Sequence, residues 1–274
     1  MQTSLRVNLI GSGNVASQLA YALSVCVDAL GIYSPHLRHA EELAARMRAR
    51  RLNLQQLTTT SNLAILPAAD VYILSVKDAV LEDVASQLRE VLPDRVATNS
   101  LFLHTAGCVP LDVLSKHFPH SAVMYPLQTF SKDASLDFSA IPLFIEGSNA
   151  DADRRATEFA RRFSQRVSHL DGEGRRRLHL AGVLANNFTN HLIALAYDWL
   201  DQSGISPECL LPIIDETARK LHEMLPQQAQ TGPAVRWDEN VMASHKALLA
   251  DHPQLLAIYG LFSRSIHEHT THDR

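Results

Sequence analysis

The stretch Leu9-Ile10-Gly11-Ser12-Gly13-Asn14-Val15-Ala16 decides the fold of this chain. It follows the apolar run Leu5–Ile10, which is typical of a buried strand, and it leads into Asn14–Val25, whose apolar residues recur at helical spacing. Between a strand and a helix, the first glycine allows a tight turn and the second lets the backbone approach a pyrophosphate. A small residue such as Ala16 lets the helix pack on the strand, and the first N–H groups of the helix would face the anion.

This turn predicts a dinucleotide site that includes Gly11, Ser12, Gly13, Asn14 and Val15. The alternative is that the glycines only form a turn, since a single pattern of this kind is a weak signal. Its position directly after an amino-terminal strand favours the nucleotide site.

Short β-branched runs alternate with longer helical patterns up to about residue 170. Further strands are expected at Leu30–Tyr33, Asp70–Val76, Val96–Leu103, Ser121–Tyr125 and Pro142–Glu146. Further helices are expected at His39–Arg51, Ala79–Leu92 and Asp151–Phe163. This alternation predicts an α/β fold with a Rossmann-like, doubly wound, mostly parallel sheet that has helices on both faces.

From about Glu173 onward only helical patterns remain. The expected helices are Arg175–Gln202, Pro207–Leu225, Glu239–Leu249 and Pro253–His267. We therefore predict a dinucleotide-binding domain over residues 1–171 and an all-helical substrate or dimerisation domain over residues 172–274. The apolar stripes of this half exceed what four helices cover among themselves, so we expect a homodimer through the helical domain.

The composition excludes several classes of protein. Among 274 residues, 25 Lys and Arg balance 29 Asp and Glu, for a net charge of −4, which argues against nucleic-acid binding. Hydrophobic residues make up 46% and charged residues 20%, as in a chain with a large core. Three distant cysteines, Cys26, Cys108 and Cys209, indicate neither a disulfide framework nor a metal site. No secretory signal and no apolar run of about 18 residues is evident, so we expect a soluble, cytoplasmic protein that does not bind membranes.

The end of the second expected strand indicates which cofactor binds. An NAD site presents an acidic residue about 20 residues after the turn, to bind the ribose 2′-hydroxyl. Here the segment Tyr33-Ser34-Pro35-His36-Leu37-Arg38 has no acid. Ser34, His36 and Arg38 would instead suit the 2′-phosphate of NADP. The alternative is that His36 and Arg38 are solvated residues at the start of a helix.

Further candidates follow the later strands, where doubly wound sheets bind ligands. Ser75, Val76 and Lys77 would lie along the cofactor. His104 and Thr105 would approach the nicotinamide end, although His104 could equally be a strand-end cap that is satisfied by backbone groups.

The long helix and the loop beyond it supply the catalytic candidates. At about 100° per residue, His179, Asn186 and Asn190 share one helix face. We expect His179 to act as acid or base, Asn186 to orient a substrate oxygen, and Arg236 to bind an anionic group of the substrate. The alternative for the helix face is a buried polar network at a domain or dimer interface.

The chain resembles a family of NADP oxidoreductases that have a Rossmann domain followed by a helical domain of unknown function. Its first half also resembles pyrroline-carboxylate reductases and deazaflavin-dependent NADP oxidoreductases. Besides the glycine turn, the matching segments are Ser75–Asp78, His104–Gly107, Pro126–Phe130 and Gln230–Asp238. The resemblance covers nearly all of the chain and implies an NADP cofactor. Where relatives often have His-Pro, this chain has Tyr125-Pro126, and the lysine that the wider hydroxyacid-dehydrogenase superfamily uses is missing from the helix.

These observations lead to three hypotheses. The first is an oxidoreductase that transfers hydride between NADP(H) and a small carbonyl, hydroxyl or imine substrate. The second is a non-catalytic NADP(H)-binding redox sensor or dimeric regulatory protein, which the missing lysine and Tyr125 favour. The third, imine reduction of the pyrroline-carboxylate type, rests on analogy of fold.

Overall fold

The computed structural model describes residues 4–50, 54–134 and 136–272. The chain forms two compact units, which divide between Asn186 and Asn187. The first unit contains the sheet with its helices, and the second is helical. The predicted domain limit after Asp171 coincides with the end of the strand signals, whereas the first unit continues through the helix that begins at Gly172.

The sheet of the first unit has eight strands in the order β3-β2-β1-β4-β5-β6-β7-β8. The strands are β1 (Arg6–Ile10), β2 (Ala29–Tyr33), β3 (Gln56–Thr60), β4 (Val71–Leu74), β5 (Leu101–His104), β6 (Ser121–Pro126), β7 (Leu143–Gly147) and β8 (Val167–His169). All these neighbours pair in parallel except β6 and β7. The predicted doubly wound, mostly parallel sheet is confirmed. Because the strand order reverses at β1, the carboxyl ends of β1 and β4 border the crevice where such folds bind ligands.

The sequence pattern misses two strands and misassigns part of a third. β3 is a half-buried Thr-rich run, and β8 has three residues of which two are exposed, so neither gives a strong apolar signal. The predicted strand Val96–Leu103 is wrong over its first half, because residues 94–99 form a helix after Pro93. The acidic Asp94 in the first turn favours that helix, and β5 begins only at Leu101.

Six helices among the described residues connect these strands. They are α1 (Asn14–Leu23), α2 (Leu37–Ala49), α3 (Leu81–Val91), α4 (Asp94–Asn99), α5 (Asp112–Ser115) and α6 (Ala150–Ala160). Arg51, the expected end of the second helix, lies outside the described residues.

The core lies on both faces of the sheet because alternate strand residues point in opposite directions. In β1, Val7 and Leu9 pack with the apolar sides of α1, α2 and α6, whereas Ile10 packs on the other face with α3 to α5. That second face contains a stack of the rings of Tyr72, Phe102 and Phe118. The sheet is therefore buried on both sides, as a parallel sheet requires.

The expected long helix Arg175–Gln202 is interrupted. It consists of α7 (Gly172–Gly182), a π-helical segment (Val183–Phe188) and α8 (Thr189–Gln202). A π-helical turn changes the angle between successive side chains. The uniform helical spacing used to place Asn190 on the face of His179 is therefore wrong.

The second unit contains five further helices after α8 within its described residues. They are α9 (Leu211–Lys220), α10 (Pro226–Ala229), α11 (Pro233–Arg236), α12 (Glu239–Leu248) and α13 (Pro253–His272). The predicted all-helical character of this part is confirmed. Among residues 187–270, the only apolar side chains that are buried are those of Ala234, Met242 and Leu249.

An ion pair ties α7 to the sheet. The side chain of Arg175 is 1% exposed and pairs with Glu146 of β7. The same guanidinium donates hydrogen bonds to the carbonyl oxygens of Gly107 at 3.2 Å and Val109 at 2.8 Å, in the loop after β5. Asp171 begins the helix, because its carboxylate accepts a hydrogen bond from the N–H of Gly174 at 2.7 Å. The position of α7 is thus fixed by one buried cation.

We predict that Glu146→Gln lowers the free energy of unfolding by about 2–4 kcal/mol, because it leaves the buried Arg175 cation without its counter-charge. Chemical denaturation with urea measures the change. The matched control is Glu173→Gln, which removes the exposed partner of Arg177 on the same helix and should have almost no effect. Equal, small losses in both variants would contradict the role given to the buried pair.

Candidate functional site

Four neighbouring strands end at the same level of the sheet. In order of position, β2, β1, β4 and β5 end in register at Tyr33, Ile10, Leu74 and His104. The residues that follow them form a row along the carboxyl edge of the sheet: Ser34, Gly11, Ser75 and Thr105. The sequence therefore brings four of its predicted cofactor residues to one edge.

Gly11 and Gly13 occupy the turn for different physical reasons. Gly11 has φ +125°, and a Cβ atom there would lie 2.2 Å from the carbonyl oxygen of Ser75, so the fold itself requires glycine. Gly13 has an ordinary φ of −73°, and a Cβ atom there would meet nothing within 4 Å. The fold does not require glycine at position 13, whereas close approach of a ligand does.

The start of α1 is suited to an anion. Gly13 is the N-cap residue, and no side chain caps the helix, so its first N–H groups are available to a ligand. The side chain of Asn14 is turned away to donate a hydrogen bond to the carbonyl oxygen of Phe130 at 2.9 Å. Asn14 can therefore serve an anion through its backbone, while Val15 is half-buried beside it. These features fit the pyrophosphate of a dinucleotide.

Hydroxyl groups pair along the row. Ser12 Oγ donates to Ser34 Oγ at 3.1 Å, and Thr105 Oγ1 donates to Ser75 Oγ at 3.2 Å. Ser34 and Ser75 are buried, whereas Ser12 and Thr105 are half-buried. The edge is thus lined by small polar groups. Val76 is half-buried and Lys77 exposed in the turn that follows β4.

The residues beyond β2 are solvent-exposed at the start of α2. Arg38 Nε donates to Glu42 Oε1 at 2.8 Å, and this hydrogen bond holds the pKa of the Glu42 carboxyl below its usual value. His36 is the N-cap residue of α2 and contacts His39 edge to face. Ser34 is the only buried member of the expected 2′-phosphate set of Ser34, His36 and Arg38.

His104 is fully buried, unlike the other predicted cofactor residues after β5. Its Nδ1 accepts a hydrogen bond from the N–H of Ala106 at 3.2 Å. Burial, with a smaller effect of the Arg175 cation, lowers the pKa of His104 to about 3. Its Nε2 is buried without a hydrogen-bond partner, so the support for a strand-end cap comes from the Nδ1 contact and from the complete burial of the ring.

A tyrosine–histidine pair lies where β6 ends. Tyr125 Oη lies 3.0 Å from His179 Nδ1, with the two rings edge to face at 5.9 Å. Gly107 makes this approach possible, since a Cβ atom there would lie 2.6 Å from His179 Nδ1 and 3.1 Å from Tyr125 Cε2. Sequence reasoning noted Tyr125 only as a departure from relatives and did not connect it with His179. The spacing of 54 residues between them gives no signal.

The surroundings of the pair keep the phenol neutral. Burial raises the pKa of Tyr125, Cys108 raises it further, and the Arg175 cation acts in the opposite direction. Cys108 is exposed, and the charge of Arg175 is balanced by Glu146. Tyr125 therefore keeps its hydroxyl proton at neutral pH.

The other catalytic candidates are exposed. Asn186 and Asn190 have exposed side chains in the single chain. Arg236 is also exposed, at the end of α11 in the helical unit. Asp238, two residues on, caps α12, since its Oδ1 accepts a hydrogen bond from the N–H of Val241 at 3.2 Å.

The described residues contain no group of metal ligands and no membrane-spanning helix. Across residues 4–50, 54–134 and 136–272, no three His, Cys, Asp or Glu side chains are grouped as metal ligands. No helix in these same ranges is long and apolar enough to cross a bilayer.

Comparison with known proteins gives two family matches. Residues 6–97 match the family described as coenzyme F420-dependent NADP oxidoreductases. Residues 141–266 match a domain of unknown function, DUF2520. None of the proteins of curated function to which the chain was compared matches it.

Several solved structures are similar over nearly the whole chain. A Bacteroides fragilis protein classed as an NADP oxidoreductase is 40% identical, covers 97% of this chain and 98% of its own, and superposes with a TM-score of 0.84. A Thermotoga maritima protein is 20% identical over 98% of this chain and 99% of its own, with a TM-score of 0.71. A Mycobacterium avium protein classed as an oxidoreductase is 13% identical over 97% of this chain and 96% of its own, with a TM-score of 0.63. The last two show likeness of fold alone.

The expected cofactor, NADP, agrees with both the family match and the similar Bacteroides protein. The glycine turn, the uncapped start of α1 and the absence of an acid after β2 are consistent with it. With 40% identity over almost its full length, the chain belongs to the family of NADP oxidoreductases that join a Rossmann-like domain to a helical domain of unknown function.

Proposed function

We propose that the protein is an oxidoreductase that transfers hydride between NADP(H) and a small carbonyl, hydroxyl or imine substrate. One observation carries the proposal: the Tyr125–His179 pair lies at the carboxyl edge of the sheet that also bears the phosphate turn. The cofactor supplies the hydride when bound, so the protein must hold the substrate and move a proton. An imidazole at this edge is suited to that task near neutral pH.

The cofactor would be held along the row of strand ends. The pyrophosphate would bind the backbone of Gly11, Ser12 and Gly13 and the first N–H groups of α1, at Asn14 and Val15. Ser75, Val76, Lys77 and Thr105 would line the path toward the nicotinamide. His104 would act indirectly, because its Nδ1 accepts a hydrogen bond from the backbone N–H of Ala106 in the loop that borders this path.

The adenosine 2′-phosphate would bind at Ser34, His36 and Arg38. Arg38 and its partner Glu42 are both exposed, and solvent screens such an ion pair, so it contributes little to stability. Exchanging that partner for a phosphate therefore costs little, and a guanidinium binds phosphate oxygens strongly. This exchange supports preference for NADP over NAD.

Within the first unit, His179 would act as acid or base and Asn186 would orient the substrate oxygen. Both are accessible, since His179 is half-buried and Asn186 exposed. Arg236, in the helical unit, has an exposed guanidinium, and its binding of an anionic group stays a prediction from the sequence.

A non-catalytic redox sensor or dimeric regulator is the alternative. One observation favours it: α7 has no lysine, and Arg175, one turn before His179, is paired with Glu146. The two functions differ in whether the protein oxidises NADPH with a substrate or only binds it.

Dimerisation through the helical unit is the second part of the proposal. Three buried apolar side chains within residues 187–270 are few for a stable unit. Its exposed apolar residues include Ile205, Leu211, Ile213, Leu221, Leu225, Leu248 and Leu261. A cavity of about 550 Å³ with mainly apolar walls also opens within this unit. A second copy of the chain would cover these surfaces, because exposed apolar patches of this extent mark interfaces.

We predict that Gly13→Ala weakens NADPH binding about tenfold or more, the equivalent of about 1.4 kcal/mol, while leaving the melting temperature unchanged. The new methyl group would meet no protein atom within 4 Å but would occupy the path of the pyrophosphate. Titration calorimetry and melting scans measure the two effects. Gly11→Ala is the contrasting variant: its positive φ and the contact with Ser75 should destabilise the fold by about 1–3 kcal/mol. Unchanged affinity in Gly13→Ala would argue against the pyrophosphate site.

We predict that His179→Asn lowers turnover about a hundredfold, the usual scale of general acid–base catalysis, with the dissociation constant of NADPH unchanged. Asn186→Ala should mainly raise KM, without loss of stability, because its side chain is exposed. NADPH oxidation with a panel of aldehydes, ketones, 2-oxo acids and cyclic imines provides the assay. Unchanged turnover in His179→Asn would refute the role of His179, whereas NADPH binding without oxidation by any member of the panel would favour the sensor.

We predict that the protein is a homodimer at micromolar concentration by light scattering. Ile213→Lys, at a side chain that is 65% exposed in the helical unit, should shift the protein toward monomer because it places a charge in an apolar interface. Ile65→Lys is the matched control, at a side chain that is 67% exposed in the sheet unit, and should leave the dimer intact. A wild-type monomer would refute the second part of the proposal.

A further inference from the structure

We propose that Tyr125 is a positioning residue that holds His179 by Nδ1, so that Nε2 exchanges the proton with the oxygen of a ketone, an aldehyde or the corresponding alcohol. This inference rests on the proposed function and narrows its substrate class. The observation that carries it is the hydrogen bond between Tyr125 of β6 and His179 of α7.

The contact determines which ring nitrogen is available. Tyr125 Oη lies 3.0 Å from His179 Nδ1, a normal hydrogen-bond distance. With Nδ1 engaged, Nε2 is the ring nitrogen left for a ligand, and the half-buried imidazole has part of its surface accessible. The partner of one imidazole nitrogen sets the protonation and orientation of the other.

A phenol differs from the carboxylate that more often orients a catalytic histidine. A carboxylate only accepts a hydrogen bond, whereas a neutral hydroxyl both donates and accepts. Tyr125 can therefore donate to Nδ1 of one neutral tautomer and accept from Nδ1–H of the imidazolium or the other tautomer. When Nε2 exchanges the proton, Nδ1 keeps its own, and Tyr125 then accepts from Nδ1–H in both directions of the reaction.

The pair is rigidly supported. Tyr125 is 7% exposed at the end of β6, and Gly107 leaves room for both rings. One turn before His179, Arg175 binds the carbonyl oxygens of Gly107 and Val109 and pairs with Glu146. The backbone that carries His179 and the loop that borders the pair are thus held by one guanidinium. Such pre-organisation is what a proton-transfer group requires.

The proton balance of a reduction is then defined. Hydride adds to the carbonyl carbon, and the π electrons of the C=O bond move to oxygen. The oxygen takes the proton from Nε2–H of the His179 imidazolium, which gives an alcohol, oxidised NADP and a neutral imidazole. The remaining proton stays on Nδ1, and this Nδ1–H group donates a hydrogen bond to Tyr125 Oη. The reverse reaction takes the alcohol proton onto Nε2.

This balance discriminates between substrate classes. A carbonyl needs both hydride and a proton, whereas an iminium cation becomes a neutral amine on receiving hydride alone. A dedicated imidazole with a fixed second nitrogen is therefore useful for oxygen substrates and unnecessary for iminium ions. The pair favours carbonyl or alcohol chemistry over imine reduction.

The test compares two phenol deletions. Tyr125→Phe retains the ring and removes the hydrogen bond to His179. Tyr259→Phe does the same in the helical unit, where Tyr259 Oη lies 3.0 Å from His245 Nδ1 and the rings are 5.7 Å apart. The two variants lose the same type of contact, but only one changes the imidazole of the proposed site.

The first readout is nitrogen NMR of the protein without cofactor, labelled with ¹⁵N-histidine. Long-range ¹H–¹⁵N spectra distinguish the two neutral tautomers from the imidazolium. The signals of His179, among 14 histidines, are those lost in His179→Asn. We expect Tyr125→Phe to shift Nδ1 of His179 strongly and Tyr259→Phe to shift only His245. An unchanged Nδ1 signal of His179 in Tyr125→Phe would overturn the inference, whatever the activity.

The second readout is turnover with NADPH. For ketones or aldehydes, Tyr125→Phe should lower kcat about tenfold to a hundredfold with KM nearly unchanged, the usual effect of losing the group that orients a reacting side chain. It should also change the pH profile of kcat, in which the titratable neighbours are His179, Cys108 and His104, with Arg175 and Glu146 as fixed charges. Tyr259→Phe should match the wild type.

The outcomes separate this inference from the proposed function. If His179→Asn loses carbonyl turnover but Tyr125→Phe does not, the function stands and the role of Tyr125 is refuted. If a preformed cyclic iminium salt is reduced well and carbonyls are not, the substrate class is refuted. If no member of the panel is reduced, the proposed function fails, and the NMR comparison still decides whether Tyr125 fixes His179.

Discussion

The candidate site depends on the buried guanidinium of Arg175. A charge in this position is costly unless its hydrogen-bond donors are used, and here they reach one carboxylate and two backbone carbonyls. Those three acceptors belong to β7 and to the loop after β5, so the arginine joins three parts of the chain that are far apart in sequence. Apolar packing could hold α7 against the sheet, but it would not fix the helix at one register. A directional network of this kind does, and the imidazole of His179 follows one turn later.

In the glycine turn, the fold accounts for one glycine and the binding of a ligand accounts for the other. Gly11 is required by the backbone, because its left-handed φ and the nearby carbonyl exclude a side chain. Gly13 is free of both constraints. Ser12 and Ser34 resemble Gly11 in this respect, because the hydrogen bond between their hydroxyls is part of the fold. Residues that the fold does not explain are the better indicators of what the edge of the sheet binds.

Most of the fold could be predicted from the sequence because its signals are local. The apolar runs of β1, β4 and β6, the turn at Gly11 and the change to helix after β8 each depend on a few adjacent residues. The edge strands β3 and β8 were not predicted, because their side chains are polar or exposed and give no apolar pattern. The π-helical segment escaped because periodicity assumes a constant angle between residues.

The site was predictable only in part. The row of strand ends follows from topology, since parallel strands place their carboxyl ends together. The pairing of Tyr125 with His179 depends on the three-dimensional register of α7 against β6, which no local pattern encodes. The burial of His104 could not be predicted either, because the sequence pattern of a strand-end histidine is the same whether the side chain is buried or exposed.

The buried His104 makes the stability of the folded protein depend on pH on the acidic side. The pKa of His104 is depressed to about 3 in the folded protein, whereas in the unfolded chain it returns to the ordinary value near 6.5. The unfolded chain therefore binds the proton more readily, and His104 contributes its full share of stability only above about pH 6.5. As the pH falls from there toward 3, that share is progressively lost, over a range that overlaps the protonation of the carboxylates. A protein of this construction should tolerate neutral and mildly alkaline conditions better than the interior of an acidic compartment.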